Sequence, residues 1–410
     1  MKQFFSFFKP NQQSNRLPAI ATEALDKNYL YGLNTLRFLA AFFIIAMHIQ
    51  NNQKVVGIPQ LPEFAFLYKG AVSFFFTLSG FLITYIRIGE YEKTGTINIK
   101  RFLSNRFARL APLYYTIVAA GLVFYWLVVP NLGMESYTDY SLGLAAVLYL
   151  LFLPNLINSL YHVGGALNVS WSIGVQEQFY WILLPFMKFK MKYFPAFLIT
   201  VIVLSVFVSI GNAYGIFGLS KEWSAFVNTL RFHYMAIGAL LGYLLFYRRD
   251  QLLGLWIFSK KWLQLIIFAV LVAWYGFKTD SIFIKNTITL PLSLLYGWII
   301  INVGTNPKNI IKLDNKVFDW IGQRTFGIYL MHMFVVYIVS FFYLKTGLFA
   351  NHFLLYIFSF YALVFGIIIG LAQLSFKYFE QPIMKRHQAA QKRKKLANAS
   401  KEKPQQLATA

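Results

Sequence analysis

Apolar residues fall along this 410-residue chain in long runs separated by short polar segments, and the runs define its elements. Candidate helices lie near 31–50, 66–86, 111–130, 141–157, 171–187, 194–212, 225–247, 263–277, 286–303, 324–344 and 353–376. Most have the roughly 17–25 residues that a helix needs to cross a bilayer core. Lys2, Lys9, Arg16 and Lys27 precede the first run, and the tail from Lys385 to Lys403 holds eight Lys or Arg against the single acid Glu402. Both ends are therefore expected on the cytoplasmic side.

An odd number of crossings cannot satisfy that expectation. The cluster Lys188, Lys190 and Lys192 would fall outside if both 141–157 and 171–187 crossed, and the first of these is short and ends at Pro154-Asn155. It is expected to be a re-entrant helix, tolerated where protein covers it. The fold class that follows is an all-α integral membrane protein of about ten transmembrane helices plus that re-entrant one, with both termini cytoplasmic. An N-terminal segment 1–29, a membrane domain 30–380 and a basic tail 381–410 complete the organisation, the tail being disordered or lying against anionic headgroups.

Composition agrees with lipid as the solvent: 58% of residues are hydrophobic, 19% aromatic and only 13% charged. The net charge of +23 would suggest nucleic acid in a soluble protein, but here the cations sit between apolar runs and in the tail. No segment is long enough for a solvated basic domain, so no nucleic-acid partner is expected. Cysteine is absent, which excludes disulfides, Cys-ligated metals and a thiol nucleophile. No His-x-x-His, His-x-x-x-His or carboxylate cluster has ligand spacing, and no metal is expected. Met1 to Lys27 has no sustained apolar stretch with a cleavage site, so no signal peptide is expected.

Ionisable residues inside a span are expensive and by default face a polar cavity or a partner. The first run carries Arg37 and His48, eleven positions apart, which returns them to within roughly 20° of one helix face and about 16 Å apart along it. The bland alternative is two interfacial residues, one at each boundary. In the second run, Ser79-Gly80 permits close approach of a neighbouring helix. Lys100 and Arg101 begin the next polar segment, and Arg106 and Arg109 share a helix face on which they could grip phosphate oxygens, or act as ordinary inner-side anchors.

In order along the chain, Arg37 and His48, then Phe74-Phe75-Phe76-Thr77-Leu78-Ser79-Gly80-Phe81-Leu82, then Arg106-Phe107-Ala108-Arg109 with Pro112-Leu113-Tyr114, resemble the acyltransferase-3 family of transmembrane O-acyltransferases. Two later blocks are similar to further family elements: Trp171-Ser172-Ile173-Gly174-Val175-Gln176-Glu177-Gln178-Phe179-Tyr180, and Gly322-Gln323-Arg324-Thr325-Phe326-Gly327-Ile328-Tyr329-Leu330-Met331-His332. One departure stands out. Aligned on Trp171 and Phe179-Tyr180, the usual Glu of the family falls on Gln176, and the carboxylate comes one place later at Glu177, about 100° round a helix.

The resemblance implies transfer of an acetyl or similar acyl group from acetyl-CoA, or another acyl-CoA, to a hydroxyl of a surface polysaccharide or lipid-linked sugar. Short loops and strong inner positive charge suit a bacterial cytoplasmic membrane as its setting. The resemblance makes His48 the general base for the attacking hydroxyl and Arg37 the stabiliser of developing charge, with Glu177 catalytic or merely pairing with a buried cation. It gives the coenzyme A phosphates to Arg106, Arg109, Arg101 and Lys100, and acceptor contacts to Gln176 and Trp171. His332 is expected at a satisfied packing position. The competing class is a transporter or flippase of a glycan or lipid-linked sugar, whose two related halves have no counterpart in polar motifs crowded into the first 180 residues.

Overall fold

The computed structural model describes residues 32–61, 70–131, 139–276, 280–313, 315–348 and 352–408, and among these the only regular structure is helical. The elements are α1 (Leu33–Val55), α2 (Ala71–Thr94), α3 (Ile99–Val123), α4 (Leu142–Leu150), α5 (Pro154–Leu160), α6 (Trp171–Lys190), α7 (Phe194–Ala213), α8 (Lys221–Thr229), α9 (Phe232–Tyr247), α10 (Lys261–Gly276), α11 (Thr289–Thr305), α12 (Lys316–Gly322), α13 (Thr325–Thr346), α14 (Phe353–Ser375) and α15 (Gln381–Ala408).

Eight continuous helical stretches among the described residues are long and apolar enough to cross a membrane, where the apolar runs predict ten spans. The difference has two sources. The stretch Gly165–Ala213 holds two expected spans in succession, α6 and α7, joined by a 3-10 turn at Met191–Tyr193. The run at 263–277 becomes α10, whose 16 residues rise only about 24 Å at 1.5 Å each, short of a core about 30 Å thick.

Helices outrun the apolar segments that predict them. The basic segment 87–110 is largely helical, since α2 runs to Thr94 and α3 begins at Ile99. Its start is set by Asn98, whose side chain accepts from the Arg101 backbone N–H at 2.9 Å, the usual N-terminal cap. The segment 141–157 is two short helices, α4 and α5, broken where Phe152 takes a φ of +55°. The nine residues of α4 rise only about 14 Å, so neither piece can span. Beyond the last apolar run the chain continues as helix: α14 passes through a π-turn at Phe376–Glu380 into α15. Its first turns lie along α3, where the His387 ring meets Ser104 Oγ at 3.2 Å.

Packing divides the body into adjoining cores. The largest joins α1, α2, α6, α7, α9 and α11 around Phe81, Phe179, Met235 and Ile300. A second joins α1, α13 and α14 around Ile49, Val336 and Phe360, and a third holds α3, α4 and α5 against α6 and α13. Helix α1 therefore contributes to two cores at once, and that places its polar stripe at their junction. The closest crossing is between α2 and α9. A Cβ on Gly80 would strike the Met235 carbonyl, and one on Gly238 would strike the Thr77 carbonyl, so backbones touch where side chains are absent. Ser79-Gly80 thus serves the close approach expected of it.

Candidate active site

Two groups of polar residues face the interior, one at each end of the α1 stripe. At the first, Arg37 donates to the Asn34 side chain, and Asn34 Nδ2 donates to Asp319 Oδ1 on α12 at 2.9 Å. Gly322 makes this contact possible, because a Cβ there would collide with the Asn34 carbonyl. The charges of Arg109 and Asp319 both act on Arg37, and Arg109 in turn lies in the fields of Arg106 and Glu380. Three guanidinium groups from α1 and α3 therefore share one region of the protein.

Arg106 and Arg109 have different surroundings. Arg106 turns inward: its Nε donates to Glu177 Oε1 at 2.5 Å, and its guanidinium carbon lies 4.5 Å from the centre of the Tyr180 ring. Glu177 is 6% exposed, so its charge is balanced within the protein, as burial of an ion demands. Arg109 is exposed and makes no hydrogen bond or ion pair among the described residues. Lys100 and Arg101 are exposed on the first turn of the same helix.

Helix α6 settles where its two adjacent polar residues point. Glu177 meets Arg106, whereas Gln176 donates to the Tyr180 hydroxyl at 2.8 Å. Trp171 sits edge-on to Phe76 with ring centres 5.9 Å apart. Ser172, Gln176 and Tyr180 follow at intervals of four, which lines them along one face with steps of about 6 Å. This line runs from one end of the site toward the other. Tyr180 lies under Arg106, and Ser172 lies 2.9 Å from the Tyr329 hydroxyl on α13. Tyr329 donates its single proton to the Val169 carbonyl at 2.9 Å, so Ser172 is the donor in their contact.

At the far end, the His48 ring faces the His332 ring, with centres 5.0 Å apart and planes inclined at 48°. His48 is partly buried and His332 entirely so. His332 Nδ1 lies 2.5 Å from the Tyr329 carbonyl oxygen, while its Nε2 is buried with no hydrogen-bond partner among the described residues. This differs from the satisfied packing position that the sequence suggests. The signal was present in the Tyr329-Leu330-Met331-His332 element, but nothing in a linear pattern says that its partner is the histidine of the first helix. Ser172, Tyr180 and Tyr329 likewise fall within motifs whose linear pattern does not reveal their contacts.

Among the described residues, no group of three or more His, Asp or Glu could hold a metal ion. The arrangement offers imidazoles at one end, a cluster of guanidinium groups at the other, and hydroxyl and amide side chains between them. That inventory suits proton transfer beside an anionic substrate.

Comparison with known proteins points the same way. The chain is 24% identical over 381 residues to the O-acetyltransferase OatA of Staphylococcus aureus (strain NCTC 8325 / PS 47), covering 87% of this chain and 58% of the relative. It is 25% identical over 391 residues, with the same coverage, to a protein of Staphylococcus aureus (strain COL) provisionally named as an O-acetyltransferase. The chain thus spans less than two thirds of these relatives' length. No solved structure matches it. The family model for the acyltransferase domain matches residues 30–373, which takes in α1 to α13 and most of α14 with both ends of the site, and the chain belongs to the acyltransferase 3 family.

Proposed function

We propose that this membrane acyltransferase carries an acetyl or similar short acyl group from acyl-coenzyme A to a hydroxyl of a cell-surface or lipid-linked carbohydrate. The observation that carries the reading is the inward orientation of His48, whose ring lies against buried His332, while Ser172, Gln176 and Tyr180 on one face of α6 reach from Tyr329 beside His332 to Arg106 of the guanidinium cluster.

In this reading a sugar hydroxyl attacks the thioester carbonyl while His48 takes its proton. Collapse of the tetrahedral intermediate breaks the carbon–sulfur bond, and the proton passes to the departing thiolate. Direct transfer suits a chain without cysteine. Exposed Arg109, with Lys100 and Arg101 at the start of α3, would receive the phosphates of the donor. Arg37 stabilises negative charge as it develops. Arg106 is held by Glu177 and supports the cluster, with Gln176 and Trp171 toward the acceptor. The positive charge flanking the membrane region places the basic tail on the side where acyl-coenzyme A is made. The names of the Staphylococcus aureus relatives support the acetyl group in particular.

The test is mass spectrometry of envelope glycans from cells carrying the intact protein, His48→Ala, or no copy. Loss of an acetyl-sized increment in both altered strains is expected. Loss of the entire glycan would instead indicate transport and sink the proposal.

A further inference from the structure

The His332 contacts determine which nitrogen carries its proton. A carbonyl oxygen only accepts, so the 2.5 Å contact between Tyr329 O and His332 Nδ1 puts the proton on Nδ1 in the neutral ring. Nε2 is then an acceptor. It is buried and without a partner among the described residues, a costly condition for a polar atom away from water. The nearest imidazole is that of His48, 5.0 Å away between ring centres.

We propose that His332 is the positioning residue for His48: the two rings lie 5.0 Å apart without a hydrogen bond between them, and a turn of the His48 ring on binding substrate brings its N–H onto His332 Nε2, which fixes the tautomer that leaves the other His48 nitrogen free to take a proton. The inference deepens the proposed function and rests on His48 acting as the base. The proton path then balances. The acceptor's O–H bond breaks as its oxygen bonds to the thioester carbon, the proton moves to the free nitrogen of His48, and the resulting imidazolium holds its other N–H on His332 Nε2. His332 keeps its own proton on Tyr329 O throughout. When the carbon–sulfur bond breaks, the His48 proton leaves with the thiolate. A second group that orients a base in this way is a recurring requirement of imidazole catalysis.

Three substitutions separate this role from packing. A glutamine amide reaches about as far as Nε2 and a glutamine oxygen can accept there, an asparagine amide reaches only as far as Nδ1, and phenylalanine fills the space without an acceptor. The assay uses membrane vesicles from cells expressing the full chain, with radiolabelled acetyl-CoA as the varied substrate and the resident glycan as acceptor. His332→Asn and His332→Phe are expected to lower the saturating rate by about 10²–10⁴-fold, the scale of a misoriented catalytic imidazole, with KM for acetyl-CoA unchanged. His332→Gln is expected to restore most of that rate. Full activity of His332→Asn and His332→Phe, beside an inactive His48→Ala, overturns the positioning role and leaves the base intact. Equal losses in all three, tracking the yield of folded protein, also overturn it. An active His48→Ala overturns the base assignment itself, and this inference with it.

Discussion

Arg106, half-buried, and Glu177, buried, form an ion pair, with Nε of one 2.5 Å from Oε1 of the other, and the pair ties α3 to α6 at the centre of the site. Gln176 one position earlier bonds Tyr180 instead, so the two neighbours on α6 engage different partners. Removing one partner strands the other charge. Arg106→Ala or Glu177→Ala should each destabilise the protein by roughly 3–5 kcal/mol, and the double substitution by less than the sum of the two. Thermal unfolding of detergent-purified variants measures both.

Arg109 is exposed and makes no hydrogen bond or ion pair among the described residues, although buried Glu380 lies within its field, so its loss should cost the fold little beside its effect on donor binding. A charge-assisted hydrogen bond to phosphate contributes about 1.5–3 kcal/mol, which predicts that Arg109→Ala raises KM for acetyl-CoA by about 10–100-fold. Its kcat should change little, as expected for binding shared by ground and transition states. Vesicle kinetics with labelled acetyl-CoA would show this split, and an unchanged KM would remove Arg109 from the donor site.

Tyr329→Phe deletes the hydroxyl between Val169 O and Ser172 Oγ but keeps the backbone carbonyl that holds His332. The expected cost is about 1–3 kcal/mol of stability from the carbonyl left unpaired. The saturating rate should fall less than tenfold, far less than for His332→Asn. A loss as large as that of His48→Ala would mean that the hydroxyl itself takes part in the chemistry.

Gly238→Leu should prevent accumulation of folded protein. A Cβ there meets the Thr77 carbonyl and the Phe81 N–H of α2, neither of which can rotate away, and overpacking of this kind costs more than about 3 kcal/mol. Gly366 on α14 has nothing near its would-be Cβ, so Gly366→Leu should express normally. Size-exclusion profiles of the two variants provide the comparison.

The single-helix features were legible in the sequence because they depend on one period. The 3.6-residue repeat put Arg37 and His48 on one stripe, and the small pair Ser79-Gly80 announced a close neighbour. What was illegible depends on contacts between distant segments. Nothing near Arg37 reveals Asp319, and nothing near His48 reveals His332. The polar run from Ile99 to Leu110 has too few apolar residues to register as a span, yet it is helix because Asn98 caps it and α15 lies alongside. The turn at Phe152 depends on a left-handed backbone that no residue-type signal announced.

The backbone-to-backbone seam of α2 and α9 also limits how this protein can move. Three glycines leave no side chains there to swing aside, since a Cβ on Gly242 too would meet the Phe81 carbonyl, at 2.7 Å. Close-packed surfaces of that kind shift as blocks and do not deform continuously. Any motion that admits one substrate and expels another must therefore carry α2 and α9 together as one block and hinge outside their seam.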